Sequence, residues 1–206
     1  MFSSLVLLLL ALTPHQARQR PVGSTVTLEG DVSVPSGVFR SFMNDNGFVL
    51  SDPLSGIYVA TENRAYRSLG SSLRVIGTLA DNGHGLLILR AVSITSEKGH
   101  RLIKPWPVSG PRLDEFYEGK IVQTEGVVIR IQDDLPAGHK LFLHPARPAS
   151  SAPGAGPEMQ VFLPPSVPVD PALLTVGRRI QVTGFCAQYN QTYEIVVRSH
   201  HDLKAR

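Results

Sequence analysis

The chain has 206 residues, 42% of them hydrophobic and 18% charged, with 18 glycines, 16 prolines and a formal net charge of +3. That apolar content suffices for one or two small cores, and the Gly and Pro content suits many short strands and turns. A lone cysteine, Cys186, excludes an intramolecular disulfide, and so small a positive surplus permits attraction to an anionic polymer without demanding it.

Residues 2–12 are almost wholly apolar and too short to span a bilayer, which takes about 20 residues. They fit the core of a signal peptide over residues 1–17, with cleavage after Ala17 and export from the cytoplasm. Against this stand the lack of Lys or Arg before the apolar run and the unfavourable His15. The alternative is a segment that stays attached.

The first strand is expected in Val26-Thr-Leu-Glu-Gly-Asp-Val-Ser-Val34, where apolar residues alternate with polar ones around Gly30. A glycine there lets a long strand bend and serve two sheets. A loop carrying Phe39, Arg40 and Phe42 follows, and Asn46-Gly47 signals a turn. Short strands over residues 47–51 and 57–60 flank Asp52-Pro53. Residues 61–70 are polar and suggest one helical turn ending at Gly70. The last two strands, 71–80 and 86–95, join through Asp81-Asn-Gly83, a strong hairpin signal.

The pattern then repeats. Val-x-x-Glu-Gly-x-Val returns at residues 122–128, and Leu73-Arg-Val-Ile-Gly77 is echoed by Ile180-Gln-Val-Thr-Gly184. The second echo lies further along by about the length of a Pro/Ala/Ser/Gly-rich segment, 146–157, read as a flexible insertion. Residues 98–118 form a linker with an extended Lys104-Pro-Trp-Pro107, a short helix over 113–117, and Trp106 packing between the halves. The second unit, 119–206, places strands at 120–132, 140–144, 159–163, 177–184 and 192–198. Five strands with a short irregular piece between the third and fourth, in each of 24–97 and 119–206, give an all-β chain. The architecture is two tandem five-stranded Greek-key barrels of the oligonucleotide/oligosaccharide-binding (OB) type with short helical connectors.

Val26-x-x-Glu29-Gly30, Phe48-x-Leu50-x-Asp52, Gly56-Ile57-Tyr58-Val59 and Val75-x-Gly77 also resemble bacterial OB domains of the nucleic-acid-binding superfamily. More narrowly, the pair is similar to tandem OB segments in exported bacterial proteins and ahead of some sensor histidine kinases. The closing Tyr193-Glu-Ile195 with a later Asp202 adds to the likeness. In the second unit Phe142-x-His144 departs from the Phe-x-Leu pattern.

No nucleophile elbow, phosphate-binding loop, zinc-protease motif or cysteine pair is present, so no enzymatic activity and no cofactor are expected. His139 with His144, and His200-His201-Asp202, lack further metal ligands at defined spacing. Cys186 reads as a buried thiol, and Asn190-Gln-Thr192 as a hairpin turn that also matches a glycosylation sequon.

What remains is recognition. OB barrels bind extended polymers across their second and third strands, between the first-to-second and fourth-to-fifth loops. Tyr58 alternates with Ile57 and Val59 and so faces outward, where Phe39, Arg40, Phe42, Arg64, Tyr66 and Arg67 can gather around it to stack bases and hold phosphates. The bland alternative has a loop phenylalanine plugging the barrel end and the arginines solvated. The analogous set in the second unit is Arg130, Lys140, Arg147, Tyr189 and Arg198. The expectation is an exported, non-catalytic protein binding single-stranded nucleic acid or a similar extended anionic polymer. The rival is a protein–protein or sensory scaffold of the cell envelope.

Overall fold

Strand β1 (Thr25–Val34) serves two neighbours, as its length and central glycine suggest. The computed structural model describes residues 10–40, 45–108, 112–134, 136–145 and 158–206. Phe42, Arg147 and the 146–157 segment lie outside the described residues. The first part of β1 pairs antiparallel with β4 (Ser71–Asp81), from Thr25 opposite Thr78 to Asp31 opposite Ser72. Its second part pairs with β2 (Phe48–Ser51), and the register slips between Val32 and Val34. The bulge thus falls three residues beyond Gly30. The glycine's own contribution is space: a Cβ on Gly30 would meet the Ser51 carbonyl oxygen at 2.8 Å and Leu50 Cγ at 3.1 Å.

Strands β3 (Gly56–Ala60) and β5 (Leu87–His100) complete the first barrel. The order is β1-β2-β3-β5-β4, closed, with β3 and β5 parallel. Beyond a two-residue strand, β6 (Trp106–Pro107), the second barrel repeats this plan. Strand β7 (Ile121–Asp134) pairs first with β10 (Arg179–Tyr189) and then with β8 (Gly138–Pro145), with a register shift between Val128 and Arg130. Gly126 sits at the changeover, where a Cβ would meet the His144 carbonyl oxygen at 2.5 Å. Strand β9 (Met159–Leu163) pairs antiparallel with β8 and parallel with β11 (Thr192–Val196), which returns to β10. A short β12 (Leu203–Ala205) lies against β10, and β6 lies against β7. The chain is therefore all-β with two OB-type barrels, each closed by one parallel pair.

The connectors differ from the helical pieces expected. Residues 61–70 form no helix: Thr61 Oγ1 accepts from the Asn63 amide at 3.1 Å and Asn63 Oδ1 from the Ala65 amide at 2.8 Å. Such side-chain acceptors offer the backbone an alternative to a helical ladder. In place of the helix expected over 113–117, overlapping tight turns run from Asp114 to Lys120, with Tyr117 N bonded to Asp114 O and Lys120 N to Tyr117 O. The Asp81-Asn-Gly turn forms as read, with Gly83 at φ +86° and Asn82 Oδ1 accepting from the His84 and Leu86 amides.

The segment before β1 is part of the first barrel. Leu12 forms a parallel bridge with Leu28 through its amide to Thr27 O and its carbonyl to Glu29 N. One helical turn, α1 (Pro14–Ala17), follows, capped reciprocally by Thr13 and Gln16, and Ala17 is fully buried in the first core. Asp52, in the β2–β3 turn, accepts from the His15 amide at 2.8 Å as well as from the amides of Leu54 and Ser55.

Three apolar cores result. Leu28, Phe48, Leu50, Ile57 and Val75 fill the first barrel, and Val122, Leu141, Val161, Val182 and Ile195 the second, with Cys186 buried among them. The third core lies between the barrels: Val34, Val49, Tyr58, Leu86 and Ile88 from the first pack with Ile121, Phe185, Ala187 and Val196 from the second. Burying a large apolar side chain is worth roughly 1.5–3 kcal/mol, so this seam is a substantial part of the molecule's stability. Polar bonds reinforce it. Arg18 pairs with buried Glu118 at 2.8 Å, Trp106 Nε1 donates to Pro53 O at 2.9 Å, and Asn190 N bonds to His84 O at 2.6 Å.

Candidate binding cleft between the barrels

The position of the seam changes which face is open. Tyr58 does point away from the first barrel's interior, as alternation requires, but that outer face of β2 and β3 is covered by the second barrel. Tyr58 is 0% exposed, with its hydroxyl donating to Asp45 Oδ1 at 2.6 Å and its ring edge-on to Phe39 at 4.9 Å. It is a core residue of the seam and no stacking platform. Arg198 is corrected likewise. It clasps Asp202 through two hydrogen bonds of 2.7 and 2.9 Å and donates across the seam to Ser33 O at 3.1 Å, with its side chain 14% exposed. It is a structural clamp, held away from any phosphate.

Beside the seam opens a cleft of about 720 Å³. Its walls are the loops that OB barrels use as jaws, contributed by both barrels. Phe39 and Arg40 come from the β1–β2 loop, Asn82 and Leu86 from the β4–β5 turn, Asp134 from the end of β7 with Pro136 from the loop after it, and Gln188 and Tyr189 from the end of β10. Its floor is the outer face of β8, β9 and β11, where Lys140, Phe162 and Glu194 point away from the barrel interior. The alternation that buries Leu141, Val161 and Ile195 in the second core sends these three the other way.

Of the expected residues, the cleft gathers Phe39, Arg40, Lys140 and Tyr189. Phe39 is half-buried and Arg40 exposed. Lys140 is ion-paired with Asp134 at 2.9 Å and lies 5.6 Å from the Tyr189 ring centre. Tyr189 in turn lies against His84 of the first barrel at 4.9 Å. Arg130 stands next to the floor rather than in it: its guanidinium stacks on the Phe142 ring at 3.3 Å and pairs with Glu158 at 3.1 Å. Arg64, Tyr66 and Arg67 are not brought to the cleft. Arg64 and Tyr66 are exposed on the β3–β4 connector, and Arg67 is half-buried where that connector bonds to Ser36.

Phe162 and Glu194 also line the cleft, with Gln160 bonded to Glu194, and none of the three is among the residues expected from the sequence. Glu194 is 9% exposed, and its Oε2 accepts from Gln160 Nε2 at 2.6 Å across the β9–β11 ladder. Burial raises its carboxyl pKa above the ordinary value, while the Gln160 bond and Lys140 pull it down and Asp134 pushes it up. An outward phenylalanine in Met159-Gln-Val-Phe-Leu163 is a signal that alternation alone offers. Elsewhere, burial pushes the Cys186 thiol well up, which keeps it protonated and unreactive. Among the described residues no cluster of three His, Cys, Asp or Glu side chains is arranged to hold a metal ion.

No protein-family model matches the chain, and no curated protein sequence matches it. Among solved structures, the crystal structure of fission yeast Pot1 with ssDNA is similar at 13% identity and a TM-score of 0.37, over 95% of this chain and 87% of that one. The assignment of two OB-type barrels stands on the strand order of the chain itself.

Proposed function

We propose that the chain is a binding protein without chemistry of its own, and that the cleft between its barrels receives a single-stranded nucleic acid or a similar extended anionic polymer. One observation carries this reading. The loops OB barrels use as jaws, from both barrels, converge on the outer face of β8 and β9, with aromatic rings from Phe39, Phe162 and Tyr189 and cations from Arg40 and Lys140. Rings of this kind stack successive bases in a sequence-tolerant way, and cations neutralise phosphates.

The test is a salt-titrated fluorescence assay with short labelled single strands. Binding is expected at micromolar concentration or better, weakening by about 0.7 logarithmic units per tenfold salt for each phosphate neutralised. Arg40→Ala and Lys140→Ala should each lower that slope by about 0.7, and Tyr189→Ala should cost roughly 1–3 kcal/mol of affinity. Binding absent at low salt, or indifferent to all three substitutions, moves the reading to a protein partner.

Export belongs to the same proposal, supported by the apolar run at residues 2–12 and by the likeness to tandem segments of exported bacterial proteins. A mature start near Arg18, found by mass spectrometry outside the cytoplasm, is the expected result, and such a chain has to fold without the Leu12 bridge and the buried Ala17 that the full chain packs into its first barrel. A chain intact from residue 1 or 2 in the cytoplasmic fraction overturns it.

A further inference from the structure

Glu194 lies on the cleft floor with one oxygen unused. Oε2 is held by Gln160, whereas Oε1 accepts no hydrogen bond among the described residues. The cation on the same floor, Lys140, is instead paired with Asp134. Glu194 Oε1 is not among the buried polar atoms left without a partner, so although the residue is largely buried this one oxygen opens onto the cleft, where a ligand's donor can meet it. Two residues along the same face of β11, Val196 fills its outward position with an apolar side chain.

We infer that Glu194 reads bases: its Oε1 accepts the exocyclic amine of a cytosine or adenine lodged in the cleft, and Gln160 is the positioning residue that turns that oxygen outward. The inference rests on the polymer-binding reading and adds a base preference to it. A carboxylate is acceptor-only, so it satisfies an amine and repels a carbonyl. Cytosine and uracil have nearly the same shape and differ at this ring position in that sense, and acceptance from the cytosine N4 amine is an established carboxylate pairing.

Proton linkage supplies a second signature. The charged and titratable groups around Glu194 are Lys140 on the floor and Asp134, Arg40 and Tyr189 on the walls. An amine donor stabilises the ionised carboxyl, so cytosine binding strengthens as pH rises through its raised pKa. Uracil presents a carbonyl there and needs the protonated form, so its binding weakens over the same interval.

The experiment measures fluorescence anisotropy of the full chain with labelled deoxycytidine and deoxyuridine strands of equal length. The cytidine strand is expected to bind about ten-fold tighter at neutral pH, by the strength of one charge-assisted hydrogen bond. That ratio should widen with pH. Glu194→Gln, shown to be folded by its thermal midpoint, should abolish or invert the ratio, because its amide can turn a donor toward the cleft. Equal binding of the two strands by the natural chain overturns base reading and leaves polymer binding standing. A ratio unchanged in Glu194→Gln overturns it as well. No binding of either strand removes the polymer-binding reading and this inference together.

Discussion

At the scale of single residues, direction and exposure turn out to be separate properties. Tyr58 faces outward, yet its hydroxyl is satisfied by Asp45 beneath the second barrel. Tyr58→Phe should therefore destabilise the protein by about 1.5–3 kcal/mol in chemical denaturation, the range for a hydrogen bond to a charged group. It should leave affinity for a single strand unchanged, and a loss of affinity without loss of stability would contradict the burial. Glu194 makes the complementary case. Its pKa is raised in the folded state, so folding holds that proton more tightly than the unfolded chain does. The stability it contributes is complete below the unfolded value of about 4.5 and is lost as pH rises through the folded one. Glu194→Gln removes the titration. The thermal midpoint of the variant should therefore gain on that of the natural chain from about pH 4.5 upward and hold level once the pH has passed the raised folded value. A midpoint difference that does not change with pH would refute it.

At the scale of elements, the strands are legible because each records its two faces locally. Alternation in residues 26–34 and 122–131 marks both long strands, and Asp81-Asn-Gly83 marks its turn without help from the rest of the fold. What covers an outward face has no such local record. Tyr58 meets Phe39, which meets Phe185, and those partners lie far apart in the chain. The polar connectors mislead for a related reason: Thr61, Asn63 and Asp114 bind nearby amides, so a helix-compatible composition closes into turns. The cleft was half visible. Loop rings and cations are identifiable by type, while nothing local marks Glu194, whose partner Gln160 is set beside it only by the pairing of β9 with β11. The segment through α1 gives a direct test. A chain shortened to begin at Gln19 loses the Leu12 bridge, the buried Ala17 and the Arg18–Glu118 pair. Its thermal midpoint should fall by several degrees, since about 1 kcal/mol moves a protein of this size by roughly 2–4 °C. An unchanged midpoint would show the segment to be dispensable.

At the scale of the whole molecule, the third core makes two barrels behave as one body. Phe185 and Val196 are fully buried against the first barrel, and the Arg198 clamp ties the end of the chain to Ser33 near the end of β1. Scanning calorimetry should show one cooperative transition for the natural chain. Phe185→Ala should cost about 3–5 kcal/mol and split that transition in two. Two well-separated transitions in the natural chain would mean that the seam is weak. The seam also sets a schedule for synthesis. The first barrel's strands are complete at His100, but Phe185 and Val196, which cover its apolar flank, are made about a hundred residues later. At roughly 5–20 residues per second, a newborn chain displays Val49, Tyr58 and Ile88 uncovered for about 5–20 s, long enough to meet a chaperone or another nascent copy. A ribosome stalled between the two barrels should therefore carry a chain that is folded in its first half and sticky on one side.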